Sequence, residues 1–244
     1  LQELQGYNPL QLNDYAAFIN ALNGRPQNYH FLDVWQSGVQ SPLLDMLNVR
    51  YIVVPRSLAN RSDVQKLAEG RTIVYSDTLV NVYENPKAYD RAWIVHDVQQ
   101  ATDAEALSQL ASGTADGHTV AFVNGQLPKV VAGDGPGGAT ESVTVTSYAP
   151  EKIVLDAHAA NAGFMVLSEI YADGWRATVN GKSVKVYKTD GALRGVEIPA
   201  GESRIVMTYA PTSLRIGLAV SGVAGIAMLA TFATAGWYAL RRHA

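Results

Sequence analysis

Cysteine is absent from the 244-residue chain. That excludes a disulfide scaffold, a thiol nucleophile and a cysteine-ligated zinc site. Charge is scarce as well: Asp, Glu, Lys and Arg make up 17% of residues against 48% hydrophobic, and the formal net charge is −3. Without a basic excess there is no electrostatic case for a nucleic-acid partner. A chain this apolar and this weakly charged does not read as disordered. The H-E-x-x-H, G-x-S-x-G and P-loop patterns are all missing, and so is any internal repeat. The five histidines (His30, His96, His118, His158 and His243) are dispersed, with no metal-ligand spacing among them. The carboxylates are scattered too, and no pair can be assigned as acid and base.

What the chain does contain is one long run without charge, from Ile216 to Leu240. At about 1.5 Å per residue, a helix over that run crosses a hydrocarbon core with some tilt. Arg215 precedes it, Arg241 and Arg242 follow it, and Trp237 and Tyr238 lie near one end, where amphipathic rings favour the headgroup zone. We read a transmembrane helix rather than a buried core helix, which seldom runs so far without a polar face. Two arginines after it against one before it place the short tail in the cytoplasm and the polar region outside. A large polar region ahead of a single C-terminal anchor implies tail-first insertion or a longer protein. Gly217, Ser221 and Gly225 form a small-residue stripe that would let another helix approach closely.

The expected fold class is α+β. An N-terminal α/β subdomain covers 1–116, an antiparallel β-sandwich covers 117–211, and 212–244 holds the single C-terminal transmembrane helix and its basic tail. In the first part, Leu12, Tyr15, Phe18, Ile19 and Leu22 share a helical face that Gly24 ends. Ser41-Pro42 starts a short helix, Ser62–Ala68 forms another, and Thr102 caps a third from Asp103 to about Leu110. Tyr51–Val54 reads as a buried strand ended by Pro55, Thr72–Tyr75 with Leu79–Tyr83 as a strand pair, and Trp93–Val95 as a further strand. In the second part the expected strands are 119–123, 142–148, 153–158, 164–168, 175–179, 184–187, 193–198 and 204–209. Asp173-Gly174, Asn180-Gly181, Asp190-Gly191 and Pro199-Ala200-Gly201 mark turns between them. About eight short strands at such spacing fit a sandwich.

Residues 133–138 formally match G-x-G-x-x-G, but a strand-like stretch follows where a dinucleotide site needs a helix, and Pro136 removes a donor. We read a flexible loop. Asn60-Arg61-Ser62 is a formal sequon that matters only in a eukaryotic secretory setting. Two places put a carboxylate beside an aromatic ring, a combination that can bind hydroxyls while the ring stacks on a sugar face. They are Asp33 near Trp35, and Asp173 beside Trp175 with Tyr171 close by. Tyr171, Asp173 and Trp175 are therefore candidate ligand contacts. The commoner arrangement is a turn aspartate beside a core tryptophan.

Several stretches together resemble one family. They are Gly6–Leu10 (GYNPL), Ser41–Tyr51 (SPLLDMLNVRY), Val82–Pro86 (VYENP), Arg91–Val95 (RAWIV), Val166–Tyr171 (VLSEIY), Asp173–Lys182 (DGWRATVNGK), Arg194–Gly201 (RGVEIPAG) and Tyr209–Pro211 (YAP). The order of these pieces, followed by the apolar helix, resembles the C-terminal portion of bacterial YfhO-like membrane proteins over nearly the whole chain. Tyr89-Asp90 stands before Arg91 where that pattern has Leu-Pro. The resemblance implies many transmembrane helices ahead of this region and a likeness to GT-C-type glycosyltransferases. Such enzymes move a sugar from a polyprenyl-phosphate donor to an envelope polymer outside the cytoplasmic membrane. Their catalytic carboxylate sits in an early extracytoplasmic loop, so no catalytic residue is carried over to this chain, and no cofactor either. A divalent metal would belong to the full-length protein. The implied partners are the bilayer, the upstream helices, the lipid-linked sugar and an envelope glycan. The alternative is a membrane-anchored module that binds a glycan or a protein and transfers nothing.

Overall fold

The computed structural model describes residues 4, 6–7, 12–27, 31–32, 34–128 and 141–242. His30, Asp33, His243 and the 133–138 loop lie outside the described residues. In chain order the elements are β1 (Gly6–Tyr7), α1 (Asn13–Asn23), β2 (Phe31–Leu32), α2 (Pro42–Met46), β3 (Tyr51–Pro55), α3 (Ser62–Ala68), β4 (Thr72–Ser76), β5 (Val80–Glu84), β6 (Ala92–Val95), β7 (Asp97–Gln100) and α4 (Asp103–Ser112). Then follow β8 (Val120–Val123), β9 (Ser142–Ala149), β10 (Lys152–Ala159), β11 (Gly163–Leu167), β12 (Trp175–Val179), β13 (Lys182–Val184), β14 (Tyr187–Thr189), β15 (Leu193–Ile198), β16 (Gly201–Tyr209) and α5 (Thr212–Arg242).

Three layers stack on one another. The outer layer is an antiparallel five-stranded sheet, ordered β13-β12-β16-β10-β9. The middle layer is six-stranded, ordered β6-β11-β15-β14-β8-β7, antiparallel except where β7 runs parallel to β8. Alternation along β10 sends Ile153, Leu155, Ala157 and Ala159 inward, where they meet Met165, Leu167, Val196 and Ile198 from the middle sheet. The far face of the middle sheet carries Phe164, Val166 and Leu193 against Phe18, Leu43 and Leu110 of α1, α2 and α4. Covered on both faces, β11 is continuously apolar and fully buried. Fully burying one such side chain is worth roughly 1.5–3 kcal/mol. The middle sheet straddles residue 116, because β6 and β7 precede it and the other four strands follow it.

Local signals act where they stand. Ser41 Oγ accepts from the Leu43 amide at 3.3 Å. Thr102 and Glu105 form a reciprocal capping box on α4. Gly24 ends α1 in the left-handed conformation, and Asn180-Gly181, both at positive φ, turn β12 into β13. Lys188 bridges Asp14 at 3.1 Å and Asp103 at 2.7 Å, tying α1 and α4 to the middle sheet.

Two expectations need correction, and one turn forms as expected but in an unexpected place. The 184–187 strand is two strands: β13 ends at Val184 in the outer sheet and β14 starts at Tyr187 in the middle one, so Lys185 and Val186 cross between layers. The Tyr51–Val54 strand forms but is not buried on both faces. In the three-stranded sheet β3-β5-β4, Val54 and Tyr83 pack with Val64 of α3, whereas Tyr51, Val53 and Tyr75 are more than half exposed on the other face. The Asp190-Gly191 turn lies inside the molecule, under Leu107 of α4.

Helix α5 continues straight from the outer sheet. Its segment Thr212–Ala233 is long and apolar enough to cross a membrane, and none of it is buried against the rest of the chain.

Candidate functional site

The place to look is the end of the sandwich from which α5 leaves. Antiparallel pairing sets Trp175, the first residue of β12, opposite Tyr209, the last of β16. The Tyr209 amide donates to the Glu151 carbonyl at 2.8 Å, so the β9–β10 turn lies at the same end. The Ala210 amide donates to the Gly174 carbonyl at 2.9 Å. Gly174 has φ 105°, and a Cβ there would stand 2.8 Å from the Pro211 Cα. Only glycine fits, on backbone and on space, so the 168–174 loop grips the chain just before the helix begins.

Around this junction six side chains from separate segments converge. Arg194 is 5% exposed, and its guanidinium carbon stacks 3.7 Å over the Trp175 ring. Its Nε donates to the Ile170 carbonyl at 2.9 Å, and its Nη1 has no hydrogen-bond partner among the described residues. Glu169 lies between two arginines, 3.1 Å from Arg91 Nη2 and 4.0 Å from Arg194 Nη2. Tyr148 Oη donates to Glu169 at 2.8 Å, and the Arg91 guanidinium lies 5.5 Å over the Tyr148 ring. The Trp175 and Tyr209 rings are 5.3 Å apart. Burial lowers Arg194 to a pKa of about 10, against the opposing pull of Glu169, and it stays charged at neutral pH. Burial first, and then the Asp173 carboxylate, raise the Tyr171 hydroxyl above its ordinary value.

Of the residues expected from sequence, Tyr171 and Asp173 meet through a 3.4 Å hydrogen bond from the tyrosine hydroxyl. Trp175 is half-buried at the sandwich edge, neither a deep core residue nor a free platform, and its ring partners are Arg194 and Tyr209. On α5, a Cβ added at Gly217 or Gly225 would meet nothing within 4 Å, and Ser221 is exposed beside them. Arg91, Tyr148, Glu169, Arg194 and Tyr209 were not expected. The one sequence signal was Arg194 beside the apolar Leu193 and Val196 of its strand. Among the described residues no group of three His, Asp or Glu is placed to hold a metal ion. Guanidinium, indole and phenol stack together here beside two carboxylates, of which Glu169 is ion-paired and Asp173 hydrogen-bonded.

Residues 138–221 match the family model described as bacterial membrane protein YfhO. Over this segment the chain is similar to that family. Its similarity to a curated relative is 28% identity over 82 residues with the uncharacterized protein YfhO of Bacillus subtilis (strain 168). That alignment covers 34% of this chain and only 10% of the relative's length. No solved structure matches. The YfhO match takes in β9 to β16, the junction and the first turns of α5, and so includes Glu169, Tyr171, Asp173, Trp175, Arg194 and Tyr209. The motifs before residue 138 lie outside it.

Proposed function

We propose that this chain is the extracytoplasmic C-terminal module and last membrane helix of a multi-pass YfhO-like protein. That protein transfers sugar from a polyprenyl-phosphate donor to an envelope polymer of the bacterial cytoplasmic membrane. The reacting groups, with any divalent metal, lie elsewhere in it. The observation that carries this reading is the Gly174–Pro211 junction, which fixes the sandwich directly on an apolar helix. The module's part is to stand over the membrane and position the acceptor, while Gly217, Ser221 and Gly225 face the upstream helices. Arg241 and Arg242 after the apolar helix, against Arg215 before it, support this orientation.

A second reading is a module that binds a glycan and transfers nothing, with Tyr171, Asp173 and Trp175 as its sugar contacts. The Tyr171–Asp173 hydrogen bond on the same loop as Trp175 favours it. Deleting the full-length gene and measuring the sugar content of the envelope polymers separates the two. Transfer predicts loss of one sugar substituent and its recovery with the intact gene. Unchanged polymers would sink transfer and leave the binding module.

A further inference from the structure

We propose that the end of the sandwich from which α5 leaves is a seat on the bilayer surface. Tyr148, Tyr171, Trp175 and Tyr209 rest in the phospholipid headgroup zone of the same membrane that α5 crosses. The inference rests on α5 spanning the bilayer, and neither on sugar transfer nor on which side the sandwich faces.

The first support is continuity. The apolar span begins at Thr212, three residues after Tyr209. At about 3.3 Å per extended residue, the Tyr209 ring stands within about 10 Å of the helix start. The headgroup layer on each side of the hydrocarbon is roughly 5–8 Å thick. The second support is rigidity. The Ala210–Gly174 hydrogen bond and the packing of Pro211 on Gly174 leave no free hinge between sheet and helix, so the sandwich end is held near the surface.

The third support is chemistry. Tyr148 is 46% and Tyr209 39% exposed, and Tyr171 and Trp175 are half-buried at the same end. Rings with one apolar and one polar side prefer the headgroup zone to either water or hydrocarbon. Among the described residues, the opposite end of the sandwich, at the 160–162 turn and Asn180-Gly181, offers no such collar. Charge does not select the lipid. Arg91, Lys152, Arg176 and Arg194 at this end stand against Glu151, Glu169 and Asp173. The aromatic collar is therefore the main attraction, and zwitterionic lipid suffices.

The absence of native cysteine makes the test direct. Single-cysteine variants Tyr148→Cys, Asp173→Cys, Asn161→Cys and Ala227→Cys carry a nitroxide in phosphatidylcholine nanodiscs. Accessibility to a water-soluble nickel chelate is then read by power saturation. Tyr148, Asp173 and Asn161 are exposed, so their labels leave the core intact. The Tyr148→Cys and Asp173→Cys labels are expected to be several-fold less accessible than the Asn161→Cys label, and the same with anionic lipid added. If both collar labels match Asn161→Cys while Ala227→Cys is shielded, the seat is wrong and the membrane helix stands. If Ala227→Cys is also open to the chelate, the membrane helix fails and the seat with it. Shielding that appears only with anionic lipid would overturn the aromatic collar.

Discussion

Gly195→Ala is expected to destabilise the domain by about 3 kcal/mol or more. Gly195 sits mid-strand in β15, between Tyr187 of β14 and Val166 of β11. An added Cβ would stand 2.2 Å from two ring atoms of Phe164. Phe164 is fully buried, edge-on to Tyr187 with 5.6 Å between ring centroids, and has nowhere to go. Gly195 has no positive φ, so the cost is steric. Gly201→Ala is the contrast: at φ 86° with nothing within 4 Å of the new Cβ, it carries only backbone strain, about 1–2 kcal/mol. Chemical denaturation of both variants, and of Gly195→Ala combined with Phe164→Leu, checks the cause. The double variant should recover much of the loss, since the smaller side chain makes room. A Gly195→Ala protein as stable as the parent would contradict the packing described for the middle sheet.

The second large effect concerns Asp190, which is fully buried in the β14–β15 turn. Its Oδ1 accepts from the Phe122 amide at 2.8 Å, and its own amide donates to the Phe122 carbonyl at 2.8 Å. This clamp matters because β14 and β8 share only the Thr189–Val123 pairing. Oδ2 has no partner among the described residues. Burial raises the carboxyl to a pKa of about 7, with the Phe122 hydrogen bond pulling the other way. The unfolded chain releases this proton near the ordinary value of 3.8, whereas the folded chain holds it until about 7. Between those values the folded state binds more protons, so rising pH favours unfolding. The Asp190 contribution to stability should fall by about 4 kcal/mol from pH 4 to pH 7 and stay level above.

Asp190→Asn keeps the acceptor and tolerates the φ of 52°, and it cannot ionise. The stability difference between variant and parent should therefore shift in favour of the variant as pH rises through that window. Denaturation midpoints from pH 4 to 8 measure it. A difference that stays flat would mean that Asp190 is not held protonated by its surroundings.

Much of the fold was legible because its signals are local. Ser41-Pro42, Thr102 with Glu105, Gly24 and Asn180-Gly181 each specify a cap or a turn by the residues at hand. What was missed depends on residues distant in sequence. β7 reads Asp-Val-Gln-Gln, with no alternation to mark a strand, and forms by pairing parallel to β8. Lys182–Tyr187 has uniform strand composition, and nothing in it says that the chain changes sheets at Lys185 and Val186. The apolar run Tyr51–Val54 announced a strand but not what covers it. The candidate site divides in the same way. Tyr171, Asp173 and Trp175 are neighbours in sequence and were singled out together. Arg91, Tyr148, Glu169 and Arg194 come from four separate segments, and only the sheet order brings them around one carboxylate.

The proposed function has α5 crossing the cytoplasmic membrane with the sandwich outside. Cysteine accessibility tests it most directly. Asn161→Cys, in the turn at the end of β10 away from α5, and Ala244→Cys, beyond Arg241 and Arg242, are each treated in intact cells with a membrane-impermeant maleimide. The account predicts that Asn161→Cys reacts in intact cells and that Ala244→Cys reacts only once the membrane is opened. The reverse pattern, or equal reaction of both in intact cells, would contradict it.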